Sequence, residues 1–369
     1  MLGIEIDKKR IYGLDFLRAF AIFCVVDGHA SHLLSGTKME FINRIPLPHG
    51  VDIFFVISGF LIGLSFLSYS DKHQIVDIKK TLRFYARTAL RILPNYYIIM
   101  LLYCILISNG IVNGDMNAFP LWRFFTFTQN LVKPFHSFYW ESWSLSVQWW
   151  FYIIFPLLLI IFSSRGGNVK KIIPYICLFF ILTSLIFRGV ASKNVTDDFW
   201  WDVWMRKTVA SRMDNIYIGV LAAWVRYYAY DLWKRYAVGS LILGIILMFV
   251  TFIPKHTGTF YTNVVYLTLA PLAIALWLPY LTSVKESKTF VGDIISHFSI
   301  LSYAMFLTNL MLVQIIDNNF AELSQQMGAY SYFIYWLLVI ISSYILYIIV
   351  EKQFVKLRTR LNFEPRTLN

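Results

Sequence analysis

The chain has 369 residues, of which 58% are hydrophobic and only 15% charged. Soluble domains carry about 45–50% apolar and about 25% charged residues, so a water-soluble globular protein is excluded and a polytopic membrane protein is indicated. The formal net charge of +12 fits basic cytoplasmic loops, and no nucleic-acid-binding motif accompanies it.

Spanning a bilayer takes roughly 20 mostly apolar residues. Ten such segments are expected in chain order, at about 13–33, 50–69, 92–110, 143–163, 172–188, 213–229, 236–253, 261–281, 299–316 and 330–350. The expected fold is therefore all-α, one integral membrane domain over 1–369 with its core at about 13–350 and no appended soluble domain. The first run follows Lys8-Lys9-Arg10 but is too long and too polar for a signal peptide, and reads as a retained helix. With an inside N-terminus, 22 Lys and Arg fall on inside segments, Arg226 counted with the segment it adjoins, and 9 on outside loops; Arg18 and Arg188 lie within spans. This bias places both termini in the cytoplasm. Cys24, Cys104 and Cys177 lie in apolar runs without metal-ligand spacing and read as small buried hydrophobes.

The first two spans are unusual. They carry Asp15, Arg18, Asp27, His29, His32 and Asp52, and a charge near the bilayer interior is costly and marks function by default. Arg18 and His29 are eleven residues apart, which puts them on one helical face about 16.5 Å apart along the axis. Asp27 points roughly the opposite way. Asp52 enters the second helix at the level of His29. A His with a carboxylate nearby is the usual form of a general base acting on a hydroxyl; the competing reading is a structural polar pair locking two helices. Ser58-Gly59 reads as a small pair that lets helices approach closely. Arg83, Arg87 and Arg91 recur every four residues and form a stripe, either for topology alone or as an anion site for phosphates. The aromatic, acidic outer loops 111–142 and 189–212 could bind sugar by stacking or anchor the protein at the interface.

The chain resembles the acyltransferase-3 family of integral membrane acyltransferases, which includes bacterial O-antigen and exopolysaccharide O-acetyltransferases. The resemblance rests on Arg18 and His29 at their spacing, GVDIFFVISGFLI at 50–62, RTALRILPNYY at 87–97, WSLSVQWWFYIIFP at 143–156 and RMDNIYIGVLAA at 212–223, and more loosely on LSYAMFLTN at 301–309 and VEKQF at 350–354. It implies a ten-helix enzyme of the bacterial inner membrane that moves an acyl group, often acetyl from acetyl-CoA, to a hydroxyl of a cell-surface carbohydrate or its lipid-linked precursor. Acyl-CoA is then a donor substrate, with no permanently bound cofactor and no metal. The partners are the carbohydrate acceptor, acyl-CoA and the bilayer, and no nucleic acid.

The family's arginines and histidine map onto Arg18, His29, Arg87 and Arg91. Its later landmarks bring Trp143, Ser144, Gln148, Arg212 and Asp214 to the substrate site, with Glu141 beside them. Gln148 stands where the family commonly has Glu, Asn309 where many members have His, and Gln353 where many have Pro. Glu141 lies seven residues before Gln148, within 20° of the same helical face and about 10.5 Å outward.

The expected mechanism has Arg18, Arg87 and Arg91 hold the donor phosphates while His29, oriented by Asp52, deprotonates the acceptor. A covalent acyl-His route is equally open, and Ser144 or a backbone N–H could serve the oxyanion. The rival class is a proton-coupled transporter or flippase.

Overall fold

The computed structural model describes residues 10–73, 77–133, 135, 137–252 and 258–359. Among them there is no strand. Ten principal helices follow in order: α1 Tyr12–Ala30, α2 Gly50–His73, α3 Ile78–Ser108, α4 Ser142–Ser164, α5 Val169–Ala191, α6 Val209–Tyr228, α7 Ala237–Thr251, α8 Tyr266–Leu281, α9 Phe290–Asn319 and α10 Ala329–Leu346. Each of the ten expected segments is helical over most of its described residues; residue 253, at the end of the seventh, lies outside the described residues. Eight stretches among the described residues are long and apolar enough to cross a membrane, and the protein is an all-α, multi-pass integral membrane protein.

The two that fall short do so for different reasons. At 15 residues, α7 is only about 22 Å long. Helix α6 has 20 residues but carries Arg212, Asp214 and Arg226. It tolerates them because it faces protein: it packs against α2, α4, α5 and α8, and thirteen of its residues, those three included, are buried. Large apolar side chains that face outward sit on the peripheral helices, for example Leu101, Phe179, Ile186, Ile246, Leu337 and Ile349, as lipid contact requires.

The tightest pair is α2 with α6. Their closest approach is made by glycines on both sides. A side chain at Gly59 would strike the Ile216 carbonyl, and one at Gly219 would strike the Val56 carbonyl. Small residues of this kind let membrane helices pack backbone to backbone. Gly59 thus packs a helix crossing, while its neighbour Ser58 faces a cavity.

Between α3 and α4 the chain makes a long excursion that folds back over the bundle. Asn130 anchors it: its side-chain amide donates to the carbonyls of Trp143 (3.0 Å) and Lys207 (2.7 Å). The backbone of Val209 in turn donates to Asn130 and that of Ala210 to Leu131. The segment before α4 and the segment before α6 are thereby tied together at one end of the bundle. The short turns Ser31–Leu34 and Glu40–Arg44 close the same end. Phe127, Ser137 and Tyr139 adopt positive φ in this excursion, a strained state for non-glycine residues that deep burial of Phe127 and Tyr139 holds in place.

Candidate active site

Two cavities lie back to back inside the bundle. One, of about 360 Å³, is lined by His29, Asp52, Glu141, Trp143, Arg206 and Lys207 among others. The second, of about 490 Å³, is lined by Arg10, Arg18, Arg91, Ser144, Gln148 and Glu351 among others. Val51 and Phe306 line both. The eleven-residue spacing of Arg18 and His29 on α1, about 16.5 Å, thus connects one chamber to the other. Arg10 and Glu351 share the Arg18 cavity, so the two ends of the described chain lie at the same face of the bundle.

In the His29 cavity, the imidazole Nδ1 lies 2.5 Å from Asn309 Oδ1. Asn309 is fully buried on α9, and its Nδ2 donates to the carbonyls of Met305 (2.9 Å) and Phe306 (2.7 Å). Those two bonds fix which end of the amide faces the ring: the oxygen, an acceptor. His29 Nδ1 must therefore carry the hydrogen, and Nε2 keeps its lone pair. Imidazole in this tautomer is set to take a proton at Nε2.

Asp52 does not hold His29. It lines the same cavity, but its Oδ1 is the partner of Arg212 Nη2 and accepts from Asn215 Nδ2 at 3.2 Å. The expected His29–Asp52 pair is replaced by His29–Asn309 and Asp52–Arg212. The reason is the tight α2–α6 crossing, which delivers a buried guanidinium to Asp52, and a buried carboxylate takes a full opposite charge where one is in reach. Asp52 Oδ2 is buried and has no partner among the described residues.

The remaining expected residues divide. Glu141 immediately precedes α4; it is buried and accepts from Tyr103 at 2.9 and 3.2 Å. Burial pushes its carboxyl up to about 8, against a smaller pull downward from its hydrogen bonds and from Lys207. Gln148, seven residues on, faces the other cavity and accepts from Tyr152 at 3.1 Å. Trp143 walls the His29 cavity edge-on to Phe55. Ser144 faces the Arg18 cavity, but its hydroxyl donates to the Glu141 carbonyl, so that proton is not pointed at an oxyanion. Arg87 lines neither cavity. Asp214 lines neither cavity as well: it pairs with the fully buried Arg188 at 2.9 Å and accepts from Thr268 at 2.7 Å, tying α5, α6 and α8 together.

The Arg18 cavity is built on a buried carboxylate. Asp15 receives Arg10 through two bonds of 2.8 and 2.5 Å, Ser299 at 3.0 Å and Arg18 at 3.4 Å. One negative charge thus holds two guanidinium groups in place. With Arg91, three guanidinium groups line a single chamber.

Several residues of the site were not singled out from the sequence. Arg206 and Lys207 lie in a loop where they count as ordinary topology charges, yet both line the His29 cavity. Lys207 Nζ bonds Asp202 at 2.5 Å and lies 4.1 Å over the Trp140 ring; burial lowers its ammonium to about 8, partly offset by Asp202. Asp27, expected to point away from His29, lines the same cavity instead and accepts from Tyr332 of α10 at 2.6 Å, which gives its charge a structural partner.

The family described as "Acyltransferase domain", acyltransferase-3, matches residues 11–352. A peptidoglycan O-acetyltransferase OatA of Listeria monocytogenes is 30% identical over 181 residues, covering 46% of this chain and 27% of the relative. An O-acetyltransferase OatA of Staphylococcus aureus is 25% identical over 295 residues, covering 72% of this chain and 45% of the relative. The chain therefore spans less than half the length of these curated relatives. No solved structure matches it. Because the family's model matches residues 11–352 of the 369, the chain belongs to the acyltransferase-3 family of membrane proteins.

Proposed function

We propose that the protein is a membrane O-acetyltransferase that moves an acetyl group from acetyl-CoA to a carbohydrate hydroxyl, with His29 as the general base. The observation that carries this reading is the His29–Asn309 bond, which leaves a proton-accepting Nε2 in a cavity that abuts a second, arginine-lined one.

Donor and acceptor use opposite chambers. Arg10, Arg18 and Arg91 hold the phosphates of the acyl-CoA, since guanidinium forks bind phosphate well. The basic bias of the connecting segments supports a cytoplasmic Arg18 chamber, and the bacterial relatives support an inner-membrane location. The acceptor sugar enters the His29 chamber, whose wall includes Trp140 and Trp143. The Listeria relative's name supports a cell-wall glycan as acceptor.

In the reaction His29 Nε2 takes the proton of the acceptor hydroxyl as its oxygen attacks the thioester carbonyl. The carbon–oxygen ester bond forms and the carbon–sulfur bond breaks. The departing thiolate takes the proton from His29, leaving CoA thiol, the acylated sugar and neutral imidazole.

The test is mass spectrometry of surface glycans from cells expressing the wild type or His29→Ala, with membrane abundance measured in parallel. One acetyl ester per modified unit is expected with the wild type alone. Equal esterification with His29→Ala removes His29 from the chemistry. Saccharide flux across proteoliposomes without acyl transfer would establish a carrier instead.

A further inference from the structure

We infer that Val51 and Phe306 decide which acyl groups the enzyme transfers, restricting it to the shortest chains. The inference rests on the acyl-transfer reading above and names the acyl class of its donor.

These two residues line both chambers. A thioester held by the arginines and attacked from the His29 side must present its acyl group between them. Both side chains are apolar and offer an acyl chain contact but no hydrogen bond. Their size is then the selective feature.

Both backbones are tied to their neighbours. Val51 lies between Gly50 and Asp52. Gly50 packs so closely on the Ala21 carbonyl of α1 that no Cβ fits there, and Asp52 is held by Arg212 and Asn215. On the other side, the Phe306 carbonyl accepts from Asn309 Nδ2 at 2.7 Å, the same amide whose oxygen holds His29. Moving Phe306 would disturb the base. The Phe306 side chain itself is 7% exposed. A chain longer than acetyl meets a wall whose supports are the catalytic supports.

One methylene in a hydrophobic pocket changes discrimination by about 10–200-fold. Butyryl exceeds acetyl by two, so the wild type should disfavour butyryl by at least about tenfold. Phe306→Ala and Val51→Ala should each raise the butyryl-to-acetyl ratio by about tenfold or more.

The experiment uses membranes from cells expressing the full chain, supplied separately with isotope-labelled acetyl-CoA, butyryl-CoA and hexanoyl-CoA. Esters on the envelope glycans are then weighed by mass spectrometry. Phe306→Leu is included as a milder variant in case the alanine does not insert. A raised ratio in any inserted variant supports the inference. An unchanged ratio in all inserted variants overturns it while the transfer reading stands. Loss of every acyl transfer in variants inserted at wild-type levels also overturns it, because a wall that only sets size leaves butyryl transfer measurable. Failure of the wild type to attach labelled acetyl overturns the transfer reading and this inference together.

Discussion

Asn309→Leu probes the site at its narrowest support. Leucine has the same branched skeleton of side-chain heavy atoms as asparagine, so the shape on α9 is nearly kept while the oxygen that faces His29 is removed. The carbonyls of Met305 and Phe306 lose only an extra donor, since each is also a helix carbonyl three or four residues back from position 309. The loss therefore falls on His29 Nδ1–H, which is left without its acceptor at a half-buried site. An unsatisfied polar group of this kind costs about 1–3 kcal/mol. If that support is present in the transition state, the rate falls by about 5- to 150-fold, at about 1.36 kcal/mol per decade. Asn309→Asp keeps an acceptor oxygen toward Nδ1 and should retain the Nε2 lone pair, so it should lose far less. Initial rates of acyl transfer in proteoliposomes, measured against acyl-CoA concentration, separate the two effects: kcat should fall in Asn309→Leu with KM for the donor unchanged. A wild-type kcat in Asn309→Leu would refute the tautomer argument, and an equal loss in Asn309→Asp would show that more than the acceptor oxygen matters.

Arg18→Ala should raise KM for acetyl-CoA by about tenfold or more, since a charge-assisted bond is worth about 1.5–3 kcal/mol; an unchanged donor dependence removes Arg18 from phosphate binding. Asp52→Leu alone leaves a buried guanidinium uncompensated and should cost about 3–5 kcal/mol of stability, whereas Asp52→Leu with Arg212→Met should recover most of it. Thermal unfolding in detergent reads this cycle, and additive losses would mean the two residues do not form a pair. Glu141 carries a pH signature. Its carboxyl is raised to about 8 in the folded protein, so between the usual carboxylate range and about 8 the folded state holds a proton that the unfolded state has released. Stability must then fall as pH rises through that window, with a slope approaching about 1.4 kcal/mol per pH unit. Glu141→Gln removes the ionisation, so its melting temperature should gain on the wild type from pH 5 to 8; a constant difference would show that Glu141 is not held in its acid form.

Much of this architecture is visible in the sequence because membrane helices announce themselves by local composition. All ten expected segments are helical over most of their described residues, and the shared face of Arg18 and His29 follows from helical periodicity alone. Glu141, just before α4, and Gln148, on it, line different chambers, in keeping with their seven-residue separation. The pairings are another matter. Asn309 is 280 residues from His29 and Arg212 is 160 from Asp52, and nothing local says which carboxylate or amide meets which ring. Asp52 pairs across the α2–α6 crossing because the glycines let those backbones close, an event governed by shape rather than by charge. Asp214 belongs to a motif that the resemblance assigns to the substrate site, and in the structure it pairs with Arg188. Arg206 and Lys207 read as loop charges until the excursion before α4 folds over them. One signal is present: the Arg206-Lys207 pair just after DDFWWDVW is an odd place for plain topology charges.

Two apolar residues, Val51 and Phe306, are common to the walls of two polar chambers, and this has an electrical consequence. A membrane potential drops mainly across the least polarisable part of the path, so chambers lined by charged groups hand most of the field to the thin layer between them. One elementary charge crossing that layer exchanges about 2.3 kcal/mol per 100 mV. In the proposed reaction negative charge passes from the acceptor oxygen to the thiol sulfur and the His29 proton follows it, so the net charge crossing that layer is zero. Under the proposed acyl transfer, an acetyl group and a proton would therefore exchange between the two compartments without drawing on the membrane voltage.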